Sequence, residues 1–184
     1  MGRTLTIKKG GANPYSEGWH TAKISNAEYG EWDGNDGPVK YIDVYFDGYS
    51  DKMNLRVYAK ENQNGEEFAI GKIFRFANAG ITDALDDGEG SMIIKMDDSP
   101  DHLVGKDVNI FLYKDGEYSR VLKEIAPVPF KNVVEEFTDK DVDFWKGRAL
   151  QYFDKYVKPN MVSDEPEEVT MVDDLTQVAK EMPF

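Results

Sequence analysis

Residues 52–60 alternate strictly between apolar and polar side chains, and this pattern constrains the fold more than any other feature of the chain. The apolar set comprises Met53, Leu55, Val57 and Ala59, and the polar set comprises Lys52, Asn54, Arg56, Tyr58 and Lys60. Side chains of a β-strand point alternately to its two faces, so a two-residue period predicts a strand with one buried face and one face in solvent. The sequence therefore predicts a half-buried sheet whose outer face carries cations and a tyrosine.

Two upstream segments, residues 18–29 and 40–47, show the same period and predict two more strands. The turn-forming cluster at 33–38 separates them. The predicted inner face of this pair comprises Ala22, Ile24, Ile42, Val44 and Phe46. The predicted outer face comprises Trp19, Lys23, Tyr41, Asp43 and Tyr45.

The rest of the chain predicts two helices and a hairpin. Apolar residues at three- and four-residue steps predict a helix over 67–80, and a loop-rich stretch with a short strand at 92–96 follows it. Asp115-Gly116 between alternating runs predicts a hairpin of strands 108–113 and 118–125. A near-capping box from Thr138 to Asp141 begins an amphipathic helix that is predicted to continue to Tyr156.

Three strands, a helix and a late hairpin make a mainly β chain with added helices, and this order resembles the oligonucleotide/oligosaccharide-binding fold (OB-fold). The resemblance implies a five-stranded barrel with a helix between its third and fourth strands. We therefore expect four regions: a flexible N-terminal arm at 1–17, an OB-fold domain at 18–130, a C-terminal helix at 131–158 that packs on or beside the barrel, and an acidic disordered tail at 159–184.

Composition narrows the functional classes. The 184 residues contain no cysteine, which excludes disulfides, thiolate metal sites and cysteine nucleophiles. There is no apolar run of the roughly 20 residues that a membrane span needs, and the N-terminal segment lacks a signal-peptide core, so we expect an intracellular protein with no membrane partner. His20 and His102 stand far apart without a partner at metal-ligand spacing, and no nucleophile or phosphate-binding motif is present. We expect no enzyme activity, no cofactor and no metal.

The net charge of −13 argues against a general polyanion binder, so any nucleic-acid site must be a local basic and aromatic surface. The outer faces of the second and third predicted strands combine such residues, and stacking of bases on rings contributes about 1–3 kcal/mol per base without net charge. The candidate binding residues there are Tyr41, Tyr45, Lys52, Asn54, Arg56, Tyr58 and Lys60. Further candidates on other strands are Trp19, Lys23, Phe111, Tyr113 and Arg120. For the residues of the second and third strands, the alternative is ordinary strand surface or a second core face under the C-terminal helix. For Trp19 the alternative is a core or rim position, and for Phe111 and Tyr113 it is packing by the trailing helix.

The tail shows no pattern of apolar residues that could form a core. Its residues 164–184 contain seven acidic side chains and one basic side chain. An acidic segment that ends in Met182, Pro183 and Phe184 resembles the C-terminal peptide of bacterial and phage single-stranded-DNA-binding proteins. That likeness implies that Asp173, Asp174, Glu181 and the apolar tip bind a replication or recombination protein such as a polymerase, helicase or recombinase.

Three runs in the body extend the resemblance: GWHTAKISNAE at 18–28, FRFANAG at 74–80, and LVGK at 103–106 before the hairpin. They are similar to a group of phage-encoded single-stranded-DNA-binding proteins. The resemblance implies a non-catalytic protein in the cytoplasm of a bacterial host that coats single strands during phage DNA replication or recombination. An acidic adaptor or DNA mimic, and a structural virion protein, stay open as alternatives, as does a possible homo-oligomer.

Overall fold

The computed structural model describes residues 2–6 and 13–161. The five strands of the main sheet are β1 Gly18–Gly34, β2 Gly37–Phe46, β3 Leu55–Tyr58, β6 Asp107–Asp115 and β7 Tyr118–Val121. They are antiparallel, and their order across the sheet is β3-β2-β1-β6-β7. Two small hairpins complete the β-structure: β4 Ile81–Asp86 with β5 Met92–Met96, and β8 Phe130–Lys131 with β9 Glu136–Phe137. The protein is therefore mainly β, as predicted.

The long strand β1 organises the sheet because it pairs with two partners along its length. Its first part, from Gly18 to Lys23, pairs with β6, and the part from Ile24 onward pairs with β2. A register shift between Ile24 and Asn26 marks the change of partner. Such a bulge bends a strand and increases its twist, which turns β2–β3 and β6–β7 into two halves of one curved sheet.

The core lies inside this curve and contains the apolar face that the alternation predicts. Met53, Leu55 and Val57 are buried, while Ala59 packs partly buried against the core. The helix α1, Ala69–Phe76, buries Ile70, Ile73, Phe74 and Phe76 against the sheet. The apolar side chains of β2 and β3 thus point into the core, and their other side chains lie on the opposite face of the sheet.

The sheet is open, which corrects the expected closed five-stranded barrel. The strands β3 and β7 are its two edges and are not paired with each other. Each edge strand has only four residues, and the 3₁₀ turn Asp51–Met53 replaces the first part of the predicted third strand. Each edge strand is too short to offer many backbone groups for pairing. The two edges therefore leave a gap, and side chains line it.

The chain leaves this sheet through a second helix, α2, Asp139–Tyr152, which the predicted capping box begins. Thr138 and Asp141 exchange hydrogen bonds at its N-terminus, so Asp serves in the position where Glu or Gln is usual. The predicted helix extends to Tyr156, but residues Phe153–Val157 form a π-helical turn. Trp145 packs on Phe76, which fixes α2 beside the core. None of the helices within 2–6 and 13–161 combines the length and hydropathy that a bilayer-spanning helix needs.

Candidate nucleic-acid interface

Tyr41, Arg56 and Tyr58 form a compact cluster on the outer face of β2 and β3, which we call the platform. The antiparallel register sets Tyr41 opposite Tyr58, and their ring centroids are 5.9 Å apart in an edge-on arrangement. The guanidinium carbon of Arg56 lies 3.9 Å from the centroid of the Tyr41 ring, a cation–π contact. The alternation predicted that these side chains share a face, and the structure brings them into contact.

Asp43 holds the platform in place. Its carboxylate is buried and accepts hydrogen bonds from Arg56 Nε and Nη2, each at 2.8 Å, and from Asn54 Nδ2 at 3.1 Å. This hydrogen bonding to Asp43 raises the pKa of Arg56 above its ordinary value. The two parallel bonds fix the guanidinium over Tyr41 while 39% of the Arg56 side chain stays exposed. Arg56 therefore presents a fixed planar cation to solvent.

Gly30 explains why the Tyr41 ring can lie where it does. It is the cross-strand partner of Tyr41 on β1, and a Cβ at this position would collide with the Tyr41 ring. The ring thus packs directly on the backbone of β1. Sequence reasoning missed this role, because a glycine inside an alternating run carries no sign of the residue across the ladder.

A shallow cavity of about 160 Å³ lies in the gap between the edges of the sheet, and we call it the basic groove. Its lining residues are Lys52, Asn54, Arg56, Tyr113, Arg120, Val121 and Lys123. Five of these are sequence-predicted binding residues, drawn from segments more than 50 residues apart in the chain. Four of the lining side chains are cations and none is an acid. This makes the groove locally positive on a chain whose net charge is −13.

Two carboxylates that do not line the basic groove reduce its positive charge. Asp43 neutralises Arg56 from below, and Asp115 accepts a hydrogen bond from Arg120 Nε at 3.2 Å. Lys52 is exposed and lies at the rim of the groove. The arrangement therefore suits a ligand with a few spaced negative charges rather than a dense polyanion.

Lys123 is the charged groove residue that sequence reasoning missed. Its Nζ lies 5.1 Å from the centroid of the Tyr58 ring, so it joins the groove to the platform. The strand β7 ends at Val121, and both Val121 and Leu122 are buried. Because the alternation breaks at this point, a two-residue period gives no reliable face for Lys123.

The predicted residues Trp19, Phe111 and Tyr113 form a second aromatic row on β1 and β6. The Trp19 and Phe111 rings are 5.4 Å apart, and Phe153 lies 5.3 Å from both Phe111 and Tyr113. Burial raises the pKa of Tyr113 above its ordinary value. The segment after α2 thus packs on this row, as the alternative interpretation anticipated, although Tyr113 also lines the basic groove.

The remaining predicted strand residues, Lys23, Tyr45 and Lys60, lie outside the lining of the basic groove. Lys23 pairs with Asp107 at 3.2 Å. Tyr45 is half-buried, and burial followed by the nearby Asp43 carboxylate raises its pKa. Lys60 is exposed and lines a neighbouring cavity. Neither Lys23 nor Tyr45 lines the basic groove.

The predicted partner-binding residues Asp173, Asp174, Glu181, Met182, Pro183 and Phe184 lie outside the described residues. Within the part of the chain that is described, no three His, Asp or Glu side chains are grouped to hold a metal ion. Comparisons of the chain with protein-family models, with curated proteins and with solved structures give no match.

Proposed function

We propose that this protein binds single-stranded DNA without catalysis, with the platform and the basic groove as its binding surface. The observation that carries the proposal is a cluster beside a groove lined by four cations. In this cluster Arg56 lies over the Tyr41 ring and Tyr58 lies edge-on to it. Rings and planar guanidinium groups stack on bases, and the adjacent cations meet phosphates. The two requirements of single-strand binding are thus found side by side.

Single strands suit this surface better than duplexes for two reasons. Stacking needs bases that are free to leave a helix, which a duplex does not offer. The rest of the chain is acidic and repels the closely spaced phosphates of a double helix. Binding therefore depends on local contacts rather than on overall charge.

The order β3-β2-β1-β6-β7, with α1 after β3, supports a finer proposal that the fold is a variant of the OB-fold with open edges. In that fold oligonucleotides bind across the second and third strands and the neighbouring loops, which is where the platform lies. The hairpin β4–β5 is an addition between α1 and β6. A role in phage replication or recombination, and recruitment of a partner by residues 164–184, belong to the same proposal.

The test is fluorescence anisotropy with labelled oligo-dT and with a duplex of equal length, each at two salt concentrations. We expect clear preference for the single strand. For a probe short enough to occupy the platform and the basic groove alone, four groove cations limit the slope of log affinity against log salt to no steeper than about −3, at about −0.7 per neutralised phosphate. Equal affinity for the two ligands would contradict the proposal, and no binding to either would favour the acidic adaptor.

A further inference from the structure

The basic groove does not end at Lys123. A second cavity of about 190 Å³ begins at Lys123 and Tyr58 and extends past Lys60 toward α1 and Tyr152. A third cavity of about 350 Å³ shares Lys72, Glu124 and Tyr152 with the second and continues along α2. Each cavity shares lining residues with the next, Lys123 in the first case and Lys72, Glu124 and Tyr152 in the second, so the three lie in series from the sheet edges to the C-terminal helix.

The part on α2 repeats the chemistry of the platform. Its charged lining residues are Lys72, Arg148, Lys155 and Glu124, and the one acid among them is bound by Lys72. Arg148 and Lys155 are exposed and stand about two helical turns apart. The third cavity therefore carries two cations, Arg148 and Lys155, that are exposed to phosphates beyond the platform.

Aromatic rings accompany these cations. Tyr152 and Tyr156 have ring centroids 5.3 Å apart, and Lys155 Nζ lies 5.1 Å from the centroid of the Tyr156 ring. Tyr156 is 55% exposed. In the second cavity Phe68, which is 51% exposed, lies between the platform and α2. Exposed rings with adjacent cations are the combination that takes an unpaired base and its phosphate.

We propose that a single strand bound on the platform continues along α2, where Arg148 and Lys155 contact its phosphates and Tyr156 stacks on a base. This inference rests on the proposed function and adds a second subsite to it. Charge complementarity and continuity with the basic groove favour a polynucleotide as the occupant. The subsite makes affinity depend on oligonucleotide length, because a short strand fills the platform alone.

The test uses the full chain with the double substitution R148A/K155A and two labelled oligo-dT probes. One probe has about 6 nucleotides and the other about 20, near the lower end and beyond the upper end of the roughly 4–16 nucleotides that one such domain covers. For the longer probe we expect a loss of about three- to tenfold in affinity and a salt slope shallower by about 1.4, two phosphates' worth. For the shorter probe we expect no change. K95A/K140A is the matched control, since it removes two exposed cations that line none of the three cavities.

The outcomes separate this inference from the function on which it rests. If the unsubstituted protein binds neither probe, both proposals fail. If R56A weakens binding while R148A/K155A matches the control at both lengths, the second subsite is wrong and the proposed function stands. If R148A/K155A weakens binding of the shorter probe as much as that of the longer probe, the two cations form no separate length-dependent subsite, which also overturns the inference.

Discussion

Replacing Arg56 by alanine is expected to weaken single-strand binding by about 0.5–2 kcal/mol, the value of a guanidinium stacked on a ring, and to lower the free energy of unfolding by about 1–3 kcal/mol. The binding loss follows because the guanidinium lies 3.9 Å from the Tyr41 ring centroid and presents its exposed part to the ligand. The stability loss follows because the substitution leaves the buried Asp43 carboxylate with Asn54 alone. Solvent around the partly exposed pair keeps this cost below that of a fully buried pair.

Two companion variants separate the effects. D43N/R56A removes the stranded charge, so it should recover much of the stability of R56A without recovering its affinity. R56K keeps the charge but loses the planar, two-bonded group, so it should bind nearly as weakly as R56A. Because Asp43 already neutralises Arg56, the salt slope should change little. Urea unfolding and anisotropy measure the two quantities, and full affinity in R56K would show that Arg56 acts as a simple phosphate contact.

Replacing Tyr58 by alanine is expected to weaken single-strand binding by about 1–3 kcal/mol, the value of one stacked base. Tyr58 lies at the junction of the platform and the groove, between Tyr41 and Lys123. Its half-buried ring also supports Tyr41, so unfolding should become easier by about 0.5–1.5 kcal/mol, the value of an aromatic pair.

Y58F is the matched control because it keeps the ring and removes only the hydroxyl. It should bind almost as well as the unsubstituted protein, whereas Y58A should not. Equal affinity in all three proteins would remove Tyr58 from the interface. A stability loss of Y58A well above about 2 kcal/mol would instead assign the ring to the core.

The alternation in residues 52–60 predicted which face of the sheet is buried, because burial follows from a pattern inside one strand. Met53, Leu55 and Val57 are inside, and Arg56 and Tyr58 reach the platform. Closure of the sheet was predicted wrongly. Closure requires the two edge strands, β3 and β7, to be long enough to pair with each other. The 3₁₀ turn Asp51–Met53 shortens β3.

In the candidate site, too, the pattern within one strand predicts some features, and contacts between distant segments determine the others. Alternation placed Asp43 on the outer face with the tyrosines, but its burial beneath Arg56 depends on the register between β2 and β3. Gly30 and Lys123 enter the site through contacts across the ladder and beyond a strand end. Such contacts between segments carry no local sequence signal.

Photo-crosslinking tests base stacking on the platform most directly. An oligonucleotide that carries 5-bromodeoxyuridine would be irradiated with the full-length protein, and the crosslinked residues would be mapped by mass spectrometry. If a single strand stacks on the platform, crosslinks will map to Tyr58, because the Tyr41 ring is covered by Arg56 and packs on the backbone at Gly30, and an excess of unlabelled oligo-dT will suppress them. Crosslinks confined to the β4–β5 hairpin, or a yield at the platform that oligo-dT does not reduce, would contradict binding at this surface.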